Sequence, residues 1–367
     1  MILMNDFKAE PDELRAAMLG AARRVLESGW YVLGNEVFAF EKQWSAACGL
    51  TSGVAVGNGL DAIEIALRAL DIGQGDEVIT TPMTAFATVL AIMRAGAIPV
   101  LADIDANTAL LSLESAERCI SSRTRAILLV HLYGQVRSMD AWEALCSRHV
   151  IALVEDCAQA HSAKWKGKVA GSFGVAGAYS FYPTKNLGAP GDAGMIVTQD
   201  IALAERAGRL RNYGQSVRYH HPELGMNSRM DVIQAAMLAV RLNWLPEFTE
   251  RRRHIAGKYR TGIKNSRVEQ MAEPEDPLAH VYHLFVITCV QREALQADLH
   301  QQGVQSLIHY PIPIHEQTPC LTIARDPNGL RNSDRHAKTC LSIPCHPQMT
   351  DADVLTTIRA INSFQGD

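Results

Sequence analysis

Residues 154–197 read VEDCAQAHSAKWKGKVAGSFGVAGAYSFYPTKNLGAPGDAGMIV and gather the side chains best suited to covalent chemistry. A short apolar run, Ile151 to Val154, ends in Glu155 and Asp156. A second run, Ala178 to Phe181, delivers Ser180 and Lys185 to the same end of the fold. An acid at the carboxyl end of a strand sits where open α/β sheets bind ligands. A lysine just after a Ser-Phe-Tyr strand, followed by Gly-rich backbone, places an amine close to a phosphate. Together these residues point to pyridoxal phosphate: Lys185 for a Schiff base, and Asp156 to keep the pyridinium nitrogen protonated so that the ring can act as an electron sink.

Other candidates are weaker. Gly57-Asn58-Gly59 between a strand and a helix makes an anion site, because the first helical N–H groups lack intrahelical partners. The same stretch reads G-x-G-x-x-A, but a dinucleotide site needs an acid at the end of the next strand, which instead reads Thr80-Thr81-Pro82. Glu155-Asp156 lacks a His or Cys at ligand spacing, so no metal is expected. Lys164, Lys166 and Lys168 alternate with Trp165 and Gly167, as in a solvated hairpin.

The elements that must position these residues are βα units. Strands are expected at 54–56, 77–80, 98–101, 126–130 and 151–154, with helices at 60–70, 85–95 and 139–148 between them. Such alternation argues for a mostly parallel sheet covered by helices. Helices at 13–27 and 37–48 form an N-terminal arm. Residues 200–261 read as helices around a polar loop, 211–230; Asp231 is an N-cap, and Pro246 breaks the helix that follows. A division into residues 1–244 and 245–367 is expected. The second part carries strands at 284–290 and 305–309 around a helix at 292–302.

Composition bounds the function. The 367 residues, 47% of them hydrophobic, allow a large core, and a net charge of −4 with mixed signs excludes the basic face of a nucleic-acid binder. The longest apolar runs are strand-sized, so no membrane association is expected, and the start of the chain does not read as a signal peptide. The eight cysteines form no CxxC pair and read as reduced, buried thiols of a cytoplasmic protein.

EDCAQAH, SFYPTKNLGAPGDAG, HLYGQ and NSRMDVIQAA resemble the DegT-type nucleotide-sugar aminotransferases, pyridoxal-phosphate enzymes of the aspartate aminotransferase fold (fold type I). The resemblance spans nearly the whole chain. GNGLDA, RYHH and HYPIPIH further resemble the branch acting on dTDP-3-oxo-6-deoxyhexoses. It implies that Lys185 forms the Schiff base and moves the proton, Asp156 holds the pyridine nitrogen, Gln159 lies near the ring hydroxyl and Phe86 stacks on the ring. The backbone at Gly59 and Leu60 and the hydroxyl of Ser180 would hold the phosphate. Many relatives have threonine at the position of Leu60, so no side-chain bond is expected there. Asn227 would reach the phosphate of a neighbouring subunit, making the enzyme a homodimer with shared active sites. Tyr182, Arg218, His309 and Tyr310 resemble nucleotide-sugar contacts, and Arg229 is a candidate for the carboxylate of the amino donor, L-glutamate. The alternatives are amination at C4 of a dTDP- or UDP-linked sugar, and a non-catalytic nucleotide-sugar sensor.

Overall fold

A computed structural model describes residues 1–366. Its strands are β1 (Ser52–Val56), β2 (Glu77–Thr80), β3 (Ile98–Leu101), β4 (Thr124–Val130), β5 (Ala152–Asp156), β6 (Lys164–Trp165), β7 (Lys168–Val169), β8 (Ala176–Ser180), β9 (Gly194–Thr198), β10 (Val268–Gln270), β11 (Phe285–Cys289), β12 (Ala324–Arg325) and β13 (Cys340–Ile343). Eight of them form one sheet in the order β1-β9-β8-β5-β4-β2-β3-β12. Only β9 runs against its neighbours. The expected mostly parallel sheet is therefore present, and its central strands read as continuous apolar runs because both faces are covered.

Strand alternation sorts the core into two layers. Ile127, Leu129, Leu153, Tyr179 and Val197 face one layer, with Trp44 and Phe181. Ala126, Leu128, Val154, Ala178 and Ile196 face the other, against the helices Gly59–Ala69 and Phe86–Arg94. By the same parity Asp156 and Ser180 share the second face, on adjacent strands with Asp156 level with Ala178. Glu155 points into the first.

There Glu155 is wholly buried. Its Oε1 accepts from the N–H groups of Phe173 (2.8 Å) and Gly174 (2.8 Å). Its Oε2 accepts from Gly171 N (2.7 Å) and pairs with His131 Nε2 at 2.8 Å. One carboxylate thus secures the loop leading into β8, the strand that carries Ser180.

Strands β10, β11 and β13 form a separate antiparallel sheet with its own apolar cluster, including Ile287, Leu295, Leu341 and Ile361. The strand expected at 305–309 is absent. Its backbone is divided between two partners: Gln305 N bonds Ile2 O (2.9 Å), and only Leu307 pairs with Ser342. His309 just beyond stays tied to β13 through its ring, Nδ1 to Ser342 Oγ at 2.9 Å. Asp231 precedes its helix as expected but makes no side-chain cap bond. Pro246 lies in the first turn of a new helix, Leu245–Gly262, where its missing N–H costs nothing. No helix among the described residues is long and apolar enough to cross a membrane.

Glu155→Gln would turn an amide NH2 towards backbone donors. The expected loss is about 3 kcal/mol, since buried groups left without partners cost more than the bonds themselves contribute. Urea denaturation checks this, and an unchanged midpoint would remove Glu155 from this role.

Candidate active site

Beyond β8 the chain makes a tight excursion and returns. Ala189 N bonds Phe181 O (2.7 Å), and Lys185 N bonds Tyr182 O (2.8 Å). Gly188 permits this closure: a Cβ there would lie 2.3 Å from Pro183 O. Lys185 is held at the turn, partly buried, and its Nζ makes no hydrogen bond or ion pair among the described residues. Burial lowers its pKa to about 8, with the charge of Asp156 pulling the other way. Burial, followed by the charge of Lys185, also lowers His161 to about 3, His309 to about 4 and His283 well below the usual imidazole value. The amine therefore sits among neutral rings, with Asp156 the anion that acts on it.

Asp156 is fixed at both oxygens. Oδ1 accepts from Ala158 N (3.1 Å), and Oδ2 accepts from the Thr88 hydroxyl (2.8 Å). Gln159 is oriented by its neighbours. Its Oε1 accepts from Tyr133 N (2.6 Å), so its Nε2 is the donor presented to the Tyr310 hydroxyl (3.3 Å). Tyr133 then closes a ring of contacts, donating its hydroxyl to His309 O (2.6 Å).

The anion end is backbone. Asn58 caps the helix Gly59–Ala69 by accepting from Asp61 N (2.9 Å). This leaves the N–H groups of Gly59 and Leu60 without a partner among the described residues. Gly59 lies so close to Ser180 that a Cβ would come within 2.5 Å of the serine Cβ. Leu60 supplies no hydroxyl. Ser228, which sequence reasoning passed over, accepts from Gly57 N (2.9 Å) and donates to Asp61 Oδ2 (2.7 Å), fixing the turn. Its adjacency to Asn227 in NSRM was the available signal.

Phe86 opens the helix Phe86–Arg94 and is 37% exposed. Lys185, Asp156, Gln159, Ser180, Gly59, His309 and Tyr310 come together at the strand ends. The remaining candidates do not join them through contacts within this chain. Arg218 is exposed and stacks on its own neighbour Tyr219. Arg229 bonds Asn212 Oδ1 (3.1 Å) and covers the Tyr213 ring. Asn227 and Tyr182 are exposed, Asn227 in a backbone bridge with Asn212.

This constellation fits pyridoxal phosphate. An unpartnered amine of lowered pKa, a carboxylate across from it and a backbone cradle with no room for a Cβ meet its aldehyde, ring nitrogen and phosphate. Comparison with known proteins decides the family. Residues 12–362 match the model of the DegT/DnrJ/EryC1/StrS aminotransferase family.

The chain belongs to this family. It is 44% identical over 344 residues to the dTDP-3-amino-3,6-dideoxy-alpha-D-galactopyranose transaminase of Aneurinibacillus thermoaerophilus, covering 94% of both chains. It is 38% identical to the UDP-N-acetyl-3-dehydro-alpha-D-glucosamine 3-aminotransferase of Acidithiobacillus ferrooxidans, covering 98% of this chain and 97% of that one. The crystal structure of Streptomyces venezuelae DesV in complex with a ketimine intermediate superposes with a TM-score of 0.95 at 39% identity, covering 98% and 97% of the two chains. Another similar fold, NtdA of Bacillus subtilis, was solved with bound PMP (TM-score 0.88, 28% identity, covering 96% and 82%). This is a pyridoxal-phosphate-dependent nucleotide-sugar aminotransferase of fold type I.

The lowered pKa of Lys185 has a measurable sign. Only the neutral amine is nucleophilic, so in protein freed of cofactor its acylation rate should rise with pH and reach half-maximum near pH 8. Asp156→Asn removes the interaction that holds the proton on and should shift the half-point lower. Peptide mass spectrometry after timed acetic anhydride treatment reads both. A half-point near that of an ordinary lysine would contradict the burial described.

Proposed function

We propose that this aminotransferase moves an amino group from L-glutamate to C3 of a dTDP-linked 3-oxo-6-deoxyhexose, giving a dTDP-3-amino sugar. The single observation behind the chemistry is the free, desolvated Lys185 amine facing Asp156. The choice of carbon is supported by two relatives whose names specify C3 amination on different nucleotides, one dTDP and one UDP. The choice of dTDP is supported by the higher identity to the first.

When bound, pyridoxal phosphate supplies the electron sink that makes the Cα–H of an amino acid acidic. The chain's own residues supply the rest. Lys185 Nζ takes the Cα proton of the donor and later returns a proton to the sugar carbon, and a pKa near 8 suits an amine to both directions. Asp156 meets the ring nitrogen. Gln159 Nε2 donates towards the ring hydroxyl, an orientation set by Tyr133 N. Gly59 and Leu60 N–H groups, with the Ser180 hydroxyl, hold the phosphate, and Phe86 covers the ring face. His309, Tyr310, Tyr182 and Arg218 line the way in for the nucleotide-sugar, with Arg229 meeting the donor carboxylate.

The active form in this reading is a homodimer, with Asn227 completing the phosphate site of the partner. Its exposure supports this, as does the apolar surface of Leu26, Trp30, Tyr31, Val32 and Phe38. The small sheet belongs to a second unit, residues 245–367, against the unit of residues 1–244. Eight free, buried cysteines suit a reducing, cytoplasmic setting.

Product NMR after incubation with glutamate and either dTDP-3-oxo- or dTDP-4-oxo-6-deoxyhexose tests the reaction. Amine at C3 is expected, and turnover only with the 4-oxo sugar would overturn the choice of carbon. Loss of catalysis is expected in Lys185→Ala; persistence would overturn the role of the lysine. Mixing inactive Lys185→Ala with inactive Asn227→Ala should restore activity, because hybrid dimers contain one intact site. No recovery on subunit exchange would refute the shared site.

A further inference from the structure

Asp156 would be a poor partner for a ring nitrogen if its carboxylate could rotate. Just beyond β5 it has one backbone donor, Ala158 N at 3.1 Å, which holds only Oδ1. The second restraint comes from 68 positions away in the chain: the Thr88 hydroxyl donates to Oδ2 at 2.8 Å. Thr88 is 1% exposed and Thr84 is 4% exposed. The two hydroxyls lie 2.8 Å apart. Since the Thr88 hydrogen is committed to the carboxylate, Thr84 is the donor in that contact. The result is a dry two-hydroxyl chain, Thr84 to Thr88 to Asp156, ending on the anion.

The position of Thr88 gives this chain a purpose. It lies in the first turn of the helix Phe86–Arg94, two residues beyond Phe86. One helical turn therefore carries both the aromatic ring proposed to cover the cofactor and the hydroxyl that reaches the acid on β5. The bond sets the helix start against the strand, and with it the spacing between the ring face and the carboxylate. We infer that Thr88, backed by Thr84, is the positioning residue that fixes Asp156 and the start of the Phe86 helix as one unit for gripping the pyridine ring. The inference rests on the reading of Asp156 as the partner of the ring nitrogen.

Thr88→Val keeps the shape of the side chain and removes the donor; Thr88→Ser keeps the donor. Cofactor release from purified, diluted holoenzyme, followed by the absorbance of bound pyridoxal phosphate, is the readout. Release is expected to be about tenfold faster in Thr88→Val, the scale of one hydrogen bond to a charged group. It should be close to wild type in Thr88→Ser, and changed in the same direction but less in Thr84→Val. Thermal melting of cofactor-free protein should be little altered in Thr88→Ser and Thr84→Val. Asp156→Asn separates the two layers of the argument. If it releases cofactor no faster than wild type, the underlying reading of Asp156 fails. If it releases cofactor quickly while Thr88→Val matches wild type, the inference about Thr88 is wrong. Should Thr88→Val fail to fold, Thr84→Val decides: wild-type release there overturns the hydroxyl chain.

Discussion

The desolvation of one ammonium group governs the design. An amine shielded from water prefers to be neutral, and Lys185 is driven that way by burial and held back only by Asp156. Any second anion near it would restore the proton. The surroundings avoid this: three imidazoles kept neutral, tyrosine hydroxyls, an amide and backbone. Glu155, one residue from Asp156, would be a second anion if it faced the same side. Strand pleating turns it to the other face, where three backbone N–H groups and His131 absorb its charge. Two adjacent carboxylates thus do unrelated work because a strand alternates.

The loops bring the reactive groups together by close approach of backbone rather than by long side chains. Gly59 against Ser180 and Gly188 against Pro183 leave no space for a methyl group. In the proposed reading the phosphate end would rely on N–H groups whose direction is set by a helix capped by Asn58. Leu60, apolar where a hydroxyl would add a bond, is compatible with that arrangement.

Much of this was legible in the chain. The apolar runs that became β2, β3 and β4 stand almost where their composition places them, since a strand covered on both faces is marked by an unbroken apolar run. The lysine segment was legible because its residue types are improbable without a function. Pairings between distant positions were not legible. Nothing near Asp156 announces Thr88, and nothing near Gln159 announces Tyr133, because hydrogen bonds across the fold leave no local periodicity. The expected strand at 305–309 failed for a related reason. Local propensity described a ladder, but the backbone donors there are claimed first by Ile2 at the far end of the chain.

Strand β12 carries a mechanical implication. Residues 324–325, lying in sequence between the strands of the small sheet, add in parallel to β3 at the rim of the large one. Asp326 N then bonds Leu101 O (2.8 Å), and the Asp326 carboxylate takes the Arg118 guanidinium at 2.5 Å. Two backbone pairings thus tie segments near the small sheet to distant parts of the chain, the bridge of Ile2 with Val304 and the ladder of β12 on β3. Any displacement of the small sheet against the large one would have to break these backbone bonds first.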